Sequence, residues 1–193
     1  MATGGALDRR AAVARLLAGR TDLVVVTGLG SPTYDVAAAG DHDRNFHLWG
    51  AMGGAAMVGA GLAIARPDVP VLVVTGDGEA LMGMGGLATI ALQAPPNLSI
   101  AVLDNGLYGE TGGQPSHTGQ GVDLAAVARA CGFPLALAID DEAGLEGFRA
   151  AVHAATGGPG LAVLKVGPGT GRKALPSWDG PAARLRTTVA LAR

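Results

Sequence analysis

The feature that most constrains this chain is a set of five short, continuous apolar runs, at residues 23–26, 71–74, 99–103, 135–139 and 162–166. None of them alternates apolar with polar residues. A strand with one face in water alternates, whereas a strand covered on both faces reads as an unbroken apolar run. Helical patterning separates the runs, at 51–65, 83–93, 124–130 and 143–155, with further candidates at 8–17 and 182–191. Parallel strands cannot be joined by tight turns and need a crossover, usually a helix. The order therefore predicts an α/β fold: a doubly wound, mostly parallel sheet, as a single domain over 1–193, with its core at about 20–168 and a tail at 169–193. In such sheets ligands sit at the carboxyl ends of the strands.

Three of those ends run into glycine-rich loops. They read Thr27-Gly28-Leu29-Gly30-Ser31-Pro32, then Thr75-Gly76-Asp77-Gly78-Glu79, then Asp104-Asn105-Gly106-Leu107-Tyr108-Gly109-Glu110-Thr111-Gly112-Gly113-Gln114. Such loops let backbone N–H groups approach a phosphate. The common nucleotide fingerprints do not fit. A G-x-G-x-x-G pattern fails at Thr33 after the first loop and at Leu81 after the second. The segment Gly167-Pro168-Gly169-Thr170-Gly171-Arg172-Lys173 has the wrong spacing for a P-loop and is expected to be a flexible connector. Asp77 and Asn105 remain, a carboxylate and an amide oxygen on adjacent strand ends. Both are hard ligands of the kind that hold Mg²⁺ together with water and substrate phosphates.

The stretch GDGEALMGMGGLATIALQAPPNLSIAVLDN, with WGAMGGA before it and DNGLYGETGGQP at its end, resembles the diphosphate-binding domain of thiamine-diphosphate enzymes. Within them it is most similar to the sulfopyruvate and phosphonopyruvate decarboxylases, over about residues 20–168. The resemblance implies that Asp77 and Asn105 hold Mg²⁺ by their side chains and Leu107 by its carbonyl. It implies that Gly76, Asp77, Gly78, Glu79 and Ala80 meet the diphosphate at a helix start, with Gly28, Gly30 and Ser31 lining it from the first loop. Gly50, Ala51 and Met52 would bend the cofactor, Met52 as the wedge between its rings and the Gly50 carbonyl as an acceptor for its amine. Tyr108, Gly109 and Glu110 would cover the diphosphate. Glu79 stands where many relatives have serine, so its carboxylate is expected to point away. Asp104 stands where many have asparagine, one position before the metal ligand.

Complete enzymes of this kind carry a second domain that binds the pyrimidine and supplies a catalytic glutamate. The resemblance therefore implies a separate alpha subunit in an α2β2 or larger hetero-oligomer, acting on a small 2-oxo acid. A thiamine-dependent carboligase subunit and a non-catalytic nucleotide-binding module are the alternatives.

Composition bears on partners. Charged residues make up 16% of the chain and hydrophobic residues 49%, with a net charge of −2. This excludes a disordered chain and gives no electrostatic footprint for nucleic acid or a membrane surface. So few charges imply a surface partly covered by another subunit. The single cysteine, Cys131, excludes an intramolecular disulfide and points to the cytoplasm. Arg9, Arg10 and Arg15 break any signal-peptide pattern, and residues 46–65 are expected to form a buried helix behind a loop rather than a membrane span. Among the histidines, His47 and His117 are the catalytic candidates, as proton donors or anion binders. His42 and Arg44 are candidates for an acidic substrate tail, and His153 is expected on a helix surface.

Overall fold

In a computed structural model that describes residues 7–167, 169 and 172–192, every expected apolar run becomes a strand. These are β1 (Val24–Thr27), β3 (Val71–Gly76), β4 (Leu98–Asp104), β7 (Leu135–Ile139) and β8 (Gly160–Lys165). A sixth, β2 (Asn45–His47), pairs with β1. All ladders are parallel, in the order β2-β1-β3-β4-β8-β7. A separate antiparallel pair, β5 (Leu107–Tyr108) with β6 (Gln114–Pro115), lies in the long loop after β4.

Successive side chains of a strand point to opposite faces, and the two cores follow from that. Leu72 and Val74 join Val13, Leu16, Leu145 and Phe148 in one apolar layer. Val71 and Val73 join Ala60, Ile90, Leu124 and Ala128 in the other. The first layer is closed by α1 (Arg9–Leu17), α2 (Ser31–Ala38) and α7 (Glu142–Ala154), the second by α3 (Ala55–Ala65), α5 (Gly86–Gln93) and α6 (Leu124–Cys131). Aspartates start three of these helices: Asp8, Asp123 and Asp141 each accept the N–H three residues on, which satisfies a donor the helix itself leaves open.

The structure departs from the sequence reading where elements are short or have no polar stripe. α2 and the six-residue α4 (Asp77–Met82) were not expected, nor was the three-residue β2. The expected helix at 51–65 starts only at Ala55, and the one at 83–93 only at Gly86. The expected burial of 46–65 is corrected: α3 buries Ala55, Gly59, Ala60 and Ala63 but turns Met57, Val58 and Ile64 to the surface. With apolar residues all round, periodicity does not say which side faces in; the small residues do, because α3 lies close on β3. β7 is likewise corrected from a fully covered strand to an edge strand. Its Leu135, Ala136 and Leu137 are half-buried and Ala138 is exposed.

The chain beyond β8 does not trail away. Trp178 stacks on Trp49 with ring centroids 4.1 Å apart. Lys173 sits over the Tyr34 ring. α8 (Gly180–Leu191), capped by Asp179, packs on the edge strand β2, with Arg186 gripping Asp41 through two nitrogens at 2.7 and 3.0 Å. This covers a sheet edge that would otherwise offer unpaired backbone groups. Of the expected connector, Pro168, Thr170 and Gly171 lie outside the described residues, as do residues 1–6 and 193 of the expected single domain. Among the described residues no helix is long and apolar enough to cross a membrane.

Two glycines of α3 give opposite expectations for one substitution. A Cβ on Gly59 would lie 2.2 Å from Cγ2 of the buried Val73, whereas one on Gly61 meets nothing within 4 Å. Gly61→Ala should raise stability by up to about 1 kcal/mol through helix propensity. Gly59→Ala should lower it by roughly 1–3 kcal/mol through overpacking. Urea midpoints of the two variants, with an unchanged m-value, measure the contrast.

Candidate functional site

The carboxyl ends of β1, β3 and β4 converge on one cleft. It is lined from the first loop by Leu29 and Ser31, from the second by Gly76, Asp77, Gly78 and Glu79, and from the third by Asn105, Leu107, Tyr108, Gly109 and Glu110, with Met52 at its wall. Asp77 is the first residue of α4, immediately after Gly76 ends β3. A helix leaves its first N–H groups without intrahelical partners, so Gly78 and Glu79 open their backbone toward the cleft. Ala80 is already past that point, and its half-buried methyl packs into the apolar layer beneath. The Tyr108 ring lies directly on Gly78, where a Cβ would come within 2.6 Å of it.

Asp77 is 2% exposed. Its Oδ2 accepts the Ser116 hydroxyl, and the one proton of the Thr118 hydroxyl lies between Asp77 Oδ2 at 3.0 Å and Asp104 Oδ1 at 2.7 Å. Lys165 closes the network on the other oxygen of Asp104. Burial pushes the Asp77 carboxyl above its usual range and the Asp104 charge adds to this, while the two hydroxyls pull it back. A desolvated carboxylate of this kind gains strongly from a cation beside it. The Asn105 Oδ1 accepts the Leu107 N–H at 2.9 Å, an Asx turn that keeps the amide oxygen and the Leu107 carbonyl in one bend. Among the described residues no group of three or more His, Cys, Asp or Glu could hold a metal. One carboxylate, one amide and one carbonyl instead fit a hard, oxygen-seeking divalent ion that draws its remaining ligands from water and phosphate.

Glu79 does turn away from solvent, but inward. Its Oε2 accepts the Thr75 hydroxyl at 2.9 Å. Burial raises its pKa, and the N–H groups of Gly53, Ala55 and Leu29 oppose the rise. The carboxylate fills the space over Gly28: a Cβ there would lie 1.5 Å from Oε2. Its other oxygen, Oε1, is buried and makes no hydrogen bond. Gly28 and Gly30 back the cleft rather than line it. Gly30 is covered by Glu110, whose Oε1 would be 2.5 Å from a Cβ at that position. Gly50 and Ala51 lie beside Met52 in the chain but outside the cleft lining.

The histidines are not brought together. His47 has its Nδ1 on Thr27 at 2.8 Å and lines a different cavity; burial lowers its pKa to about 4. His117 is exposed and reaches the cleft only through Tyr108, whose hydroxyl meets its Nδ1 at 2.7 Å. His42 and Arg44 precede β2, at the end of the sheet opposite the cleft, where Arg44 pairs with Asp22. His153, expected on the surface, is half-buried with Nε2 on the Leu16 carbonyl at 2.9 Å, because α7 packs against α1.

Three participants had no sequence signal. Ser116 and Thr118 are 39 and 41 residues from Asp77, and only the fold of the β5–β6 loop brings them back. Arg9 reaches the cleft from the first turn of α1 while its guanidinium is held on the buried Asp35. The parallel bridge between Leu7 and Val166 carries it there.

Comparison with known proteins adds the following. The family model described as "Thiamine pyrophosphate enzyme, C-terminal TPP binding domain" matches residues 30–166. The chain is 44% identical over 163 residues to phosphonopyruvate decarboxylase of Streptomyces viridochromogenes, covering 84% of this chain and 40% of that protein. It is 39% identical over 135 residues to sulfopyruvate decarboxylase subunit beta of Methanothermobacter thermautotrophicus, covering 70% of this chain and 72% of that one. The chain thus spans about 40% of the length of the phosphonopyruvate decarboxylases it matches. Among solved structures, benzoylformate decarboxylase from Polynucleobacter necessarius superposes with a TM-score of 0.70 at 18% identity, over 86% of this chain and 34% of that one. That likeness is one of fold.

The raised carboxylates give a pH dependence with a definite sign. An acid whose folded pKa lies above its unfolded value holds a proton in the native state that the unfolded chain has lost. Stability therefore falls as pH rises from the ordinary carboxylate value of about 4 to the raised value, and is flat above it. Asp77→Asn removes one share of that slope. Melting curves between about pH 4 and 7 should show a flatter profile for the variant, and added Mg²⁺ should raise the midpoint of the parent protein but not of Asp77→Asn.

Proposed function

The chain belongs to the thiamine pyrophosphate enzymes and carries their C-terminal cofactor-binding domain, and from that premise we propose that it is the diphosphate-anchoring part of a 2-oxo acid decarboxylase using thiamine diphosphate and Mg²⁺. The observation that carries this reading is the buried Asp77, held by Ser116 and Thr118 beside the Asn105–Leu107 bend. Asp77, Asn105 and the Leu107 carbonyl hold the metal. The first-turn N–H groups of α4 and the backbone of Ser31 receive the diphosphate, with Gly28 and Gly30 shaping the loop behind them, an arrangement that helix starts favour. Tyr108, Gly109 and Glu110 exclude water above it. Met52 orients the rings from the wall of the cleft. The bound cofactor supplies the electron sink on which a 2-oxo acid loses carbon dioxide. His117, hydrogen-bonded to Tyr108 at the mouth of the cleft, is the histidine placed to move a proton there; His47 is not.

A partner subunit is part of the proposal. The cleft offers about 90 Å³ in this chain, against roughly 300 Å³ or more for a typical ligand pocket, so it is the wall of a site rather than a whole one. Beside it, Met52, Met57, Val58, Ile64, Met82, Met84 and Leu92 are exposed, on segments free of charge from 45 to 65 and from 80 to 103. A patch of this kind marks an interaction surface. Relatives named as beta subunits of sulfopyruvate decarboxylase support an alpha subunit that supplies the pyrimidine-binding domain and catalytic glutamate, in an α2β2 or larger assembly. The same relatives favour a small 2-oxo acid with a second acidic group. The low charge favours neither nucleic acid nor a membrane surface, and the lone Cys131 fits a cytoplasmic setting.

Calorimetry with thiamine diphosphate and Mg²⁺, on the chain alone and with its co-purified partner, tests the proposal. Binding is expected to be tighter with the partner and to weaken at least about tenfold, or about 1.4 kcal/mol, in Asp77→Ala with its circular dichroism unchanged. Absence of binding in both preparations, or indifference to Asp77→Ala, would refute the reading. Carbon dioxide release from sulfopyruvate or phosphonopyruvate, set against formation of a carbon–carbon bond, separates decarboxylase from carboligase.

A further inference from the structure

Arg9 lines the cofactor cleft yet belongs to none of the three loops that build it. It is the first residue of α1, which packs on α2. Its Nε and Nη2 lie on the two carboxylate oxygens of Asp35, a residue with no exposed surface. Asp35 stands one turn along α2 from Ser31, itself in the cleft wall, and residues four apart share a helix face. The pair therefore fixes the Arg9 guanidinium relative to the first loop, and a fork on a carboxylate holds its direction as well as its distance.

Charge counting shows what this guanidinium brings. Arg10 shares the same carboxylate, its Nε at 3.2 Å from Asp35 Oδ1. Two guanidiniums on one carboxylate leave a positive charge in excess. The Arg10 side chain is 34% exposed and that of Arg9 10%, and a buried charge is screened far less than an exposed one. The excess is thus felt most on the Arg9 side, which is the cleft. The cleft itself is otherwise acidic. Among the described residues that line it, Asp77, Glu79 and Glu110 carry carboxyl groups and Arg9 is the one cation. A diphosphate set among them adds negative charge, and a divalent ion on Asp77 offsets part of the total. Arg9 also stands on a definite side. It enters with α1 and α2, which close one apolar layer, whereas Met52 leads into α3, which closes the opposite one. With Met52 at the rings, Arg9 faces the phosphate end.

We propose that Arg9, aimed by Asp35, is the fixed cation for the terminal phosphate of the cofactor, and that it makes the cleft select a diphosphate over a monophosphate. This rests on the thiamine diphosphate reading of the cleft. It does not require Arg9 to give up any partner it holds, because charge attraction acts without a freed donor and is strong where water is excluded. The competing account is a structural pair that fastens α1 to α2 and feels no ligand.

Thiamine diphosphate and thiamine monophosphate are the paired probes, titrated with Mg²⁺ into the chain and its co-purified partner. Removing Arg9 alone would strip a buried carboxylate of a partner, so the test variant is Arg9→Gln with Asp35→Asn, its fold checked by circular dichroism. Diphosphate binding should weaken at least about tenfold and monophosphate binding less than about threefold. Arg9→Lys, which keeps the charge, should recover part of the lost preference. A readout on the parent chain needs no folded double variant: the Arg9 Nε–H resonance, assigned by its loss in Arg9→Lys, should move with the diphosphate and much less with the monophosphate. Equal weakening of both probes, an unchanged preference, or an Arg9 resonance indifferent to the diphosphate would each overturn the proposal and leave the pair a helix fastener. A parent chain that binds neither probe, or binds the diphosphate regardless of Asp77→Ala, would instead overturn the cofactor reading, and this inference with it.

Discussion

Two carboxylates buried side by side at the ends of β3 and β4 set the terms for the rest of this molecule. Asp77 and Asp104 repel each other, and burial removes the water that would screen them. Three groups brought from far along the chain hold them: the hydroxyls of Ser116 and Thr118, and the ammonium of Lys165. The loop after β4 closes over them, with β6 and the 3-10 turn at Thr118–Gln120 folded back so that Ser116 and Thr118 reach Asp77. That closure seats Tyr108 on Gly78 and bends Asn105 toward Leu107. A charge conflict that would count against stability in an ordinary core here fixes the geometry of the loop that carries the proposed metal ligands.

The same economy governs Glu79. Its carboxylate sits in the gap left by Gly28 and near the backbone of Gly53 and Ala55, where the first loop, the segment before α3 and the start of α4 meet. The cleft is rigid on its floor and incomplete on its open side, where the exposed methionines of α3, α4 and the turn before α5 begin. A shallow cleft next to an apolar face fits the proposed partner subunit.

How much of this could be read beforehand depended on the range of the signal. The five long strands were legible because burial on both sheet faces leaves an unbroken apolar run. Asp77 and Asn105 were legible because a strand, a helix and a strand fix their spacing. β2, α2 and α4 were not, since three to eight residues carry too few turns of any period to stand out. The outward face of α3 was not, because a helix of Ala, Gly, Met, Val, Leu and Ile has no polar side to mark it. Arg9, Ser116 and Thr118 join the site through tertiary folding alone, and local pattern has nothing to say about them. The separation of His47 from the cleft has the same origin. Its neighbour in the chain is the wall of the cofactor site, but its ring turns to Thr27 and to the C-terminal segment.

The strand order has a consequence for how the chain is made. β8 lies between β4 and β7, yet among the described residues it is the last strand in chain order. While the polypeptide grows, β4 carries an open edge of apolar backbone and β7 has no neighbour at all. The Leu7 end waits for Val166, and Asp104 waits for Lys165. The chain from Leu7 to Val166 must leave the ribosome before the sheet can close, and an unpaired parallel edge is a sticky one in the meantime. For such a chain, the pace of translation from β7 through β8 belongs to its folding problem as much as any side chain does.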